Sequence, residues 1–261
     1  MVYSGRGAGT GRRTSKRKGT FPRGNSTIRK GEEMKITKHA QSCFLVETEA
    51  GSRILIDPGT YVFGGKEKLS PEDQQFKEIH VLIITHEHSD HFDIENVKKI
   101  IQSNQQIKIF TTTKVKEILG YSEASILGSV NKEQGLGIAE DITITGVVSR
   151  HGKKDGFLPS GDKAPAVTGV LIETDGASFY HPGDTIELKT TADVIATPIC
   201  GTVVLSIEEA KEQLLKLKPK YAIPMHYDNS SYPVDVNDFV KAMEGTGIEV
   251  IVLSDKEKRE V

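Results

Sequence analysis

Residues 81–91 read Val81-Leu82-Ile83-Ile84-Thr85-His86-Glu87-His88-Ser89-Asp90-His91. The first four form a short continuous apolar run, the pattern of a strand buried on both faces. Four potential metal ligands, His86, His88, Asp90 and His91, follow on the loop that leaves this strand. In extended chain His86 and His88 point the same way, and Asp90 and His91 fall where the chain turns into a helix, so one cation can take the first pair and a second cation the other. The spacing of Ile94, Val97, Ile100 and Ile101 predicts that helix over residues 93 to about 102, with Asp90 or Asp93 as its N-cap. Strand, ligand loop and helix make a rigid mount, which a surface turn rich in His and Asp would lack.

Outward from this stretch, the chain has 261 residues and a formal net charge of −2, with 36% hydrophobic residues and no Trp. That suffices for a substantial core. The charge is uneven: residues 1–33 carry nine Lys or Arg against two Glu, a net of +7, and residues 34–261 carry twenty-five against thirty-four, a net of −9. The first segment, including Arg12-Arg13-Thr14-Ser15-Lys16-Arg17-Lys18, has few apolar residues and no period among them. It is expected to be a disordered basic N-terminal extension, with 34–261 as the working domain. A nucleic-acid-binding tail and a transit peptide are competing readings that the missing amphipathic face disfavours. No apolar run has the length of a membrane span and no secretory signal is evident, so the expected location is cytoplasmic and no membrane partner is implied. Cys43 and Cys200 lack C-x-x-C spacing and read as reduced thiols.

From Met34 the pattern gives strands at 34–38, 43–48 and 53–56, with Ala50-Gly51-Ser52 as a hairpin turn. After the motif helix come a strand at 107–111, a helix at 113–119, a less regular region around Gly128, Gly135 and Gly137, and a strand at 142–149. Strands at 167–174 and 178–181 face each other across Asp175-Gly176. A strand at 193–199, a helix at 207–217, a strand at 221–224, a helix at 234–243 and a last strand at 248–253 complete the chain. The class is α/β, and strands and helices in both halves suggest two packed sheets with helices outside.

Further candidate ligands sit just past strand ends: His151 after 142–149, Asp184 in Tyr180-His181-Pro182-Gly183-Asp184-Thr185, and His226 in Ile223-Pro224-Met225-His226-Tyr227. A carboxylate at Asp184, behind a glycine that permits close approach, could bridge two cations. Taken in order, H-x-H-x-D-H, then His, then G-D-T, then His, the chain resembles the metallo-β-lactamase superfamily of two-metal hydrolases. The resemblance implies a four-layer αββα sandwich. It also implies that His86, His88 and His151 hold one metal, that Asp90, His91 and His226 hold the second, and that Asp184 bridges.

The blocks His39-Ala40-Gln41-Ser42-Cys43, Ile54-Leu55-Ile56-Asp57-Pro58-Gly59, Thr197-Pro198-Ile199-Cys200-Gly201 and 219–227 look like the family of small metal-dependent hydrolases that includes ascorbate-6-phosphate lactonase. Asp90-His91-Phe92-Asp93 departs from the D-H-x-G-G of thiolester hydrolases. A hydrolase on a small anionic ester, lactone or phosphodiester is the function implied. Two divalent cations about 3.5–4 Å apart, zinc in the first instance and otherwise manganese or iron, would share a hydroxide at neutral pH. Asp90 and Asp184 would be the catalytic carboxylates, the first accepting a proton and the second fixing the spacing. The competing classes are a metal-holding nucleic-acid-processing or binding protein using the basic tail, and a di-iron redox protein. The expected partner is a small molecule, nucleic acid is disfavoured, and a homo-oligomer stays open.

Each ligating imidazole needs a partner for its other nitrogen. Asp57, ending an apolar strand, is the expected carboxylate for one of them. His39 and His181 could line the pocket or complete this support, and Tyr227 could donate to an oxyanion. Two long loops could cover the pocket, the stretch 61–76 and the Gly-rich loop after His151, and the second carries Lys153, Lys154 and Lys163, where an anionic substrate could be held.

Overall fold

A computed structural model describes residues 34–64, 69–126, 136–139, 142–153, 155–174, 176–229, 231–254 and 257–261. The segment 1–33, on which the extension, tail and transit-peptide readings bear, lies outside them, as do Gly128, Gly135, Lys154 and Asp175. In the first half, the alternating apolar residues of β1 (Lys35–Lys38), β2 (Phe44–Glu47) and β3 (Arg53–Ile56) form an antiparallel meander. The α1 helix (Thr60–Gly64) follows. Then β4 (Val81–Ile84), α2 (Ile94–Ser103), β5 (Lys108–Thr111), α3 (Thr113–Leu119) and β6 (Ser125–Ile126) extend the sheet by parallel crossovers. All four residues of β4 are buried, as a strand covered on both faces requires.

The second half repeats the plan. An antiparallel run of β7 (Leu136–Ala139), β8 (Ile142–Ser149), β9 (Val167–Glu173) and β10 (Ser178–His181) leads into parallel β11 (Val194–Pro198), α4 (Ile207–Leu217), β12 (Tyr221–Met225), α5 (Val236–Met243) and β13 (Glu249–Val250). A final strand, β14 (Lys258–Glu260), returns to pair with β1. The sheet orders are β14-β1-β2-β3-β4-β5-β6 and β13-β12-β11-β10-β9-β8-β7.

Inward-facing residues of both sheets, among them Ile36, Phe44, Ile56, Ile83, Val170, Phe179 and Ile223, form one continuous buried cluster. Phe44 and Phe179 meet there at 5.6 Å between ring centroids. The opposite face of the first sheet packs Leu55, Leu82 and Ile84 against Val97, Ile100 and Val115 of α2 and α3. That of the second packs Tyr180 and Ile195 against Leu214 and Phe239 of α4 and α5. The result is the αββα sandwich.

Of the two N-cap candidates for α2, Asp93 is the cap, its carboxylate accepting from Asn96 N–H. Three details differ from the sequence reading. The stretch 61–76 contains α1 and a 3-10 turn over Gln74–Phe76. The last expected strand shrinks to Glu249–Val250, and β6, β7 and β14 are additional. These are two- to four-residue pieces, too short for a local period to mark them. Both cysteines are thiols, and no helix among the described residues is long and apolar enough to cross a membrane.

Candidate metal centre

Five strand ends converge. Asp57 follows β3, His86 to His91 follow β4, His151 follows β8, Asp184 follows β10 and His226 follows β12. Close packing of these turns needs glycine at two places. A Cβ at Gly59 would stand 2.0 Å from Asp90 O, and one at Gly183, which has φ +63°, would stand 2.7 Å from Val167 and 3.0 Å from Thr85. With no side chain there, the turn after β3 lies directly on the motif loop and Asp184 enters the cluster.

Two groups of side chains present ligand atoms to a common point each: His86, His88, His151 and Asp184, and beside them Asp90, His91 and His226. His86 Nε2 and His151 Nε2 lie 3.1 and 3.3 Å from His88 Nδ1. Asp184 divides its two oxygens between the groups. Its Oδ2 is 3.3 Å from His151 Nε2 and 4.0 Å from His86 Nε2. Its Oδ1 is 3.0 Å from His91 Nε2 and 2.8 Å from His226 Nε2. Asp90 Oδ2 stands 3.8 Å from His91 Nε2.

The second ring nitrogens of His86, His91 and His151 face away from the cluster and are held by protein oxygens. His151 Nδ1 donates to Val203 O at 3.0 Å, and His86 Nδ1 to Thr85 Oγ1 at 3.1 Å. His91 Nδ1 donates to Asp57 Oδ2 at 2.7 Å, with Ser42 Oγ at 3.1 Å. Asp57 is itself fixed, accepting from Thr85 N–H and Thr85 Oγ1 at 2.7 Å each. Three imidazoles thereby have their Nε2 atoms directed at Asp184, the orientation that a carboxylate or carbonyl on Nδ1 imposes on a metal-binding histidine.

The inward atoms do not satisfy one another. His91 Nε2, His226 Nε2 and Asp184 Oδ1 are buried without a hydrogen bond of acceptable geometry, despite separations near 3 Å. Orphaned buried donors and acceptors are costly, and a cation among them resolves that cost. The imidazole and carboxylate donor set suits zinc, manganese or iron. Burial pushes the His86 and His151 pKa values down, towards the neutral rings that ligation requires. For His91 burial acts in the same direction, but Asp184, Asp57 and Asp90 overcome it and hold its pKa well above the ordinary value. Burial would raise the Asp184 pKa, yet His226 and His91 hold it well below the usual carboxylate range. The carboxylates converging on His91 make this a place that favours positive charge, which a bound cation would supply.

The sequence pattern of the β-lactamase superfamily domain matches residues 35–226. The chain belongs to the metallo-β-lactamase superfamily. Within it, a UPF0173 metal-dependent hydrolase of Pyrococcus abyssi is 30% identical over 228 residues, covering 82% of this chain and 94% of the relative. Another, of Pyrococcus furiosus, is 27% identical over 247 residues, covering 87% of this chain and all of the relative. Among solved structures, Igni18, described as a metallo hydrolase of the archaeon Ignicoccus hospitalis, superimposes with a TM-score of 0.67 at 25% identity, over 88% of this chain and 98% of that one.

Around the two groups of candidate ligands, the supporting residues divide. Asp57 holds His91 as expected. His181 is buried and works one step further out, donating from Nε2 to Ser42 O at 2.8 Å and accepting from Gly183 N–H at Nδ1 at 3.1 Å, which fixes the turn before Asp184. His39 packs against Phe76, 5.7 Å between ring centroids, and is not among the residues lining the cleft. Tyr227 does not point its hydroxyl at the cluster either: it donates to Leu253 O at 3.2 Å.

A cleft of about 300 Å³ opens on His88, Asp90, His151 and Asp184, with Tyr61, Leu158, Val203, Asn229 and Tyr232 among its walls. The loop after His151 does reach it, but through Leu158, Pro159 and Ser160. Lys153 and Lys163 are exposed and outside the lining, and Lys154 is outside the described residues. Sequence reasoning missed Thr85 and Ser42 as supports and Asn229 and Tyr232 as walls. None of them bears a local signal of its role.

Proposed function

We propose that the chain is a two-metal hydrolase acting on a small ester, lactone or phosphodiester in the cleft beside Asp184. The observation that carries this is the division of the buried Asp184 carboxylate, Oδ1 toward His91 and His226 and Oδ2 toward His86 and His151. His86, His88 and His151 would hold one divalent cation and Asp90, His91 and His226 the other. Such a pair lowers the pKa of bound water towards about 7 and stabilises charge on the attacked oxygen.

The chain's own residues do the rest. Asp184 fixes the distance between the two ligand groups. Asp90, whose side chain is 22% exposed at the cleft floor, is placed to accept the proton released by the nucleophile. Asp57, Thr85 and Val203 O hold the imidazoles so that their Nε2 atoms need no reorganisation during turnover. The cleft volume, at the lower end of the range for small-molecule sites, sets the substrate's size. Leu158, Pro159 and Val203 offer apolar contact for its non-reacting part. An anionic substrate gains its counter-charge here from the cations and not from Lys153 or Lys163.

A turnover screen of zinc- and manganese-loaded protein across small aryl esters, lactones and bis(p-nitrophenyl) phosphate tests this reading. Metal-dependent hydrolysis in at least one class, abolished by Asp184→Asn, is expected. No hydrolysis in any class by a chain that holds its metal would favour a metal-binding or redox role.

A further inference from the structure

Lys38 is the only lysine among the fully buried side chains of the described residues, its side chain 1% exposed at the end of β1. Its ammonium donates to His39 O and to Asp228 Oδ2, both at 3.2 Å, and lies 4.8 Å above the centroid of the Tyr227 ring. The same Asp228 Oδ2 accepts from Gln41 N–H at 3.2 Å. Three contacts from one short segment, 38–41, therefore fall on the two residues that directly follow His226.

His226 itself has φ +58°. A non-glycine residue persists in the left-handed region only where its surroundings over-determine it. β12 fixes the chain before His226, ending at Met225. After it, Lys38 holds both Tyr227, through its ring face, and Asp228, through an ion pair. A second anchor on Tyr227, its hydroxyl on Leu253 O, fixes the same turn from the far side. The segment that bears Lys38 continues into Ser42, whose hydroxyl lies 3.1 Å from His91 Nδ1 and whose carbonyl accepts from His181. His91 and His226 are the two imidazoles facing Asp184 Oδ1. One loop of the first sheet thus supports both.

Resting on the two-metal reading above, we propose that Lys38 is a positioning residue: through Asp228 and Tyr227 it holds the left-handed turn that presents His226 to the second cation. It touches neither cation nor substrate. Burying an ammonium is costly unless it is paired, and the pairing chosen here constrains the backbone of a ligand rather than a surface loop.

The test is titration of metal-stripped full-length protein with Zn2+ against a chromophoric chelator, with melting temperatures of the stripped proteins recorded in parallel. The variants are Asp228→Asn, Lys38→Met and the two combined. Asp228→Asn changes a partly exposed residue outside the apolar core and carries the test if Lys38→Met does not fold. The expected result is a second equivalent bound about 10–100-fold more weakly, the range for residues that support metal ligands, and a first equivalent at wild-type affinity. The double variant should be no worse than the weaker single one, because the two residues act as a unit. Wild-type affinity for both equivalents in Asp228→Asn overturns the inference and leaves the hydrolase reading intact. Equal loss of both equivalents together with a lowered melting temperature of the stripped protein also overturns it, since that is general destabilisation. A wild-type chain that takes up fewer than two equivalents contradicts the two-metal reading and this inference with it.

Discussion

The Nδ1 of His91 and the Oδ2 of Asp57 stand 2.7 Å apart with both side chains fully buried. Asp57 sits on β3's outgoing turn with φ +49° and has no exposed atom to share with water. Its partners are the Thr85 backbone and hydroxyl and the His91 ring. Asp57→Ala is therefore expected to leave His91 without its orienting carboxylate and to weaken the adjoining cation by about 10–100-fold. The stripped protein should also lose about 3–5 kcal/mol of stability, as for one partner removed from a buried pair. Chelator competition and urea unfolding of the same variant measure the two effects.

Substitutions in the cleft separate the loop's two faces. Lys153→Ala combined with Lys163→Ala should leave kcat/KM essentially unchanged on both neutral and anionic substrates, because neither residue lines the cleft. Leu158→Ala and Tyr232→Ala should raise KM with kcat nearly unchanged, the signature of lost uniform binding. Steady-state kinetics on matched neutral and anionic esters checks this. A selective loss on anions in the double lysine variant would restore the lysines to the substrate site.

Away from the centre, Asp193 ties β10 and β11 to the entry of β12. It accepts from Ser178 N–H at 3.1 Å and Ser178 Oγ at 2.7 Å, and pairs with Lys220 Nζ at 2.9 Å. Partial burial would raise its pKa, but the hydrogen bonds from Lys220 and Ser178 outweigh that and lower it. A carboxyl whose folded pKa lies below its unfolded one contributes stability that is present above the unfolded value and is lost as pH falls through the folded one. The wild-type advantage over Asp193→Asn should thus be full at neutral pH, begin to fall near pH 4, the ordinary Asp range, and keep falling below it. The group is partly exposed, so the advantage should be under about 1 kcal/mol. Melting temperatures of metal-stripped protein at pH 7, 5 and 3.5 supply the comparison.

The motif stretch was legible because its physics is local. Four apolar residues make a buried strand, Asp93 with the Ile and Val spacing makes a capped helix, and the ligand types lie between. His151, Asp184 and His226 were legible through their order and their strand-end positions, since strand ends on one edge of packed sheets gather in space. Asp57 was legible as a carboxylate that burial obliges to find a partner. Other features depend on contacts across more than a hundred residues. His181 reaches Ser42 and Lys38 reaches Asp228, and no window of sequence contains both ends. The same holds for Tyr61 and Tyr232, which share a cleft only after the two halves have packed. Sequence shows the charge of Lys153 and Lys163 but not their orientation, which leaves both outside the cleft lining.

The central claim is that His86, His88, His151, Asp90, His91 and His226 hold two cations with Asp184 between them. The most direct measurement is the metal content of full-length protein purified without chelator, paired with X-ray absorption spectroscopy on the same sample. The account predicts two equivalents of a divalent transition metal per chain, a cation pair about 3.5–4 Å apart, and loss of that pair on Asp184→Asn. A folded chain that stays at one equivalent or none when supplied with zinc, manganese and iron would contradict it.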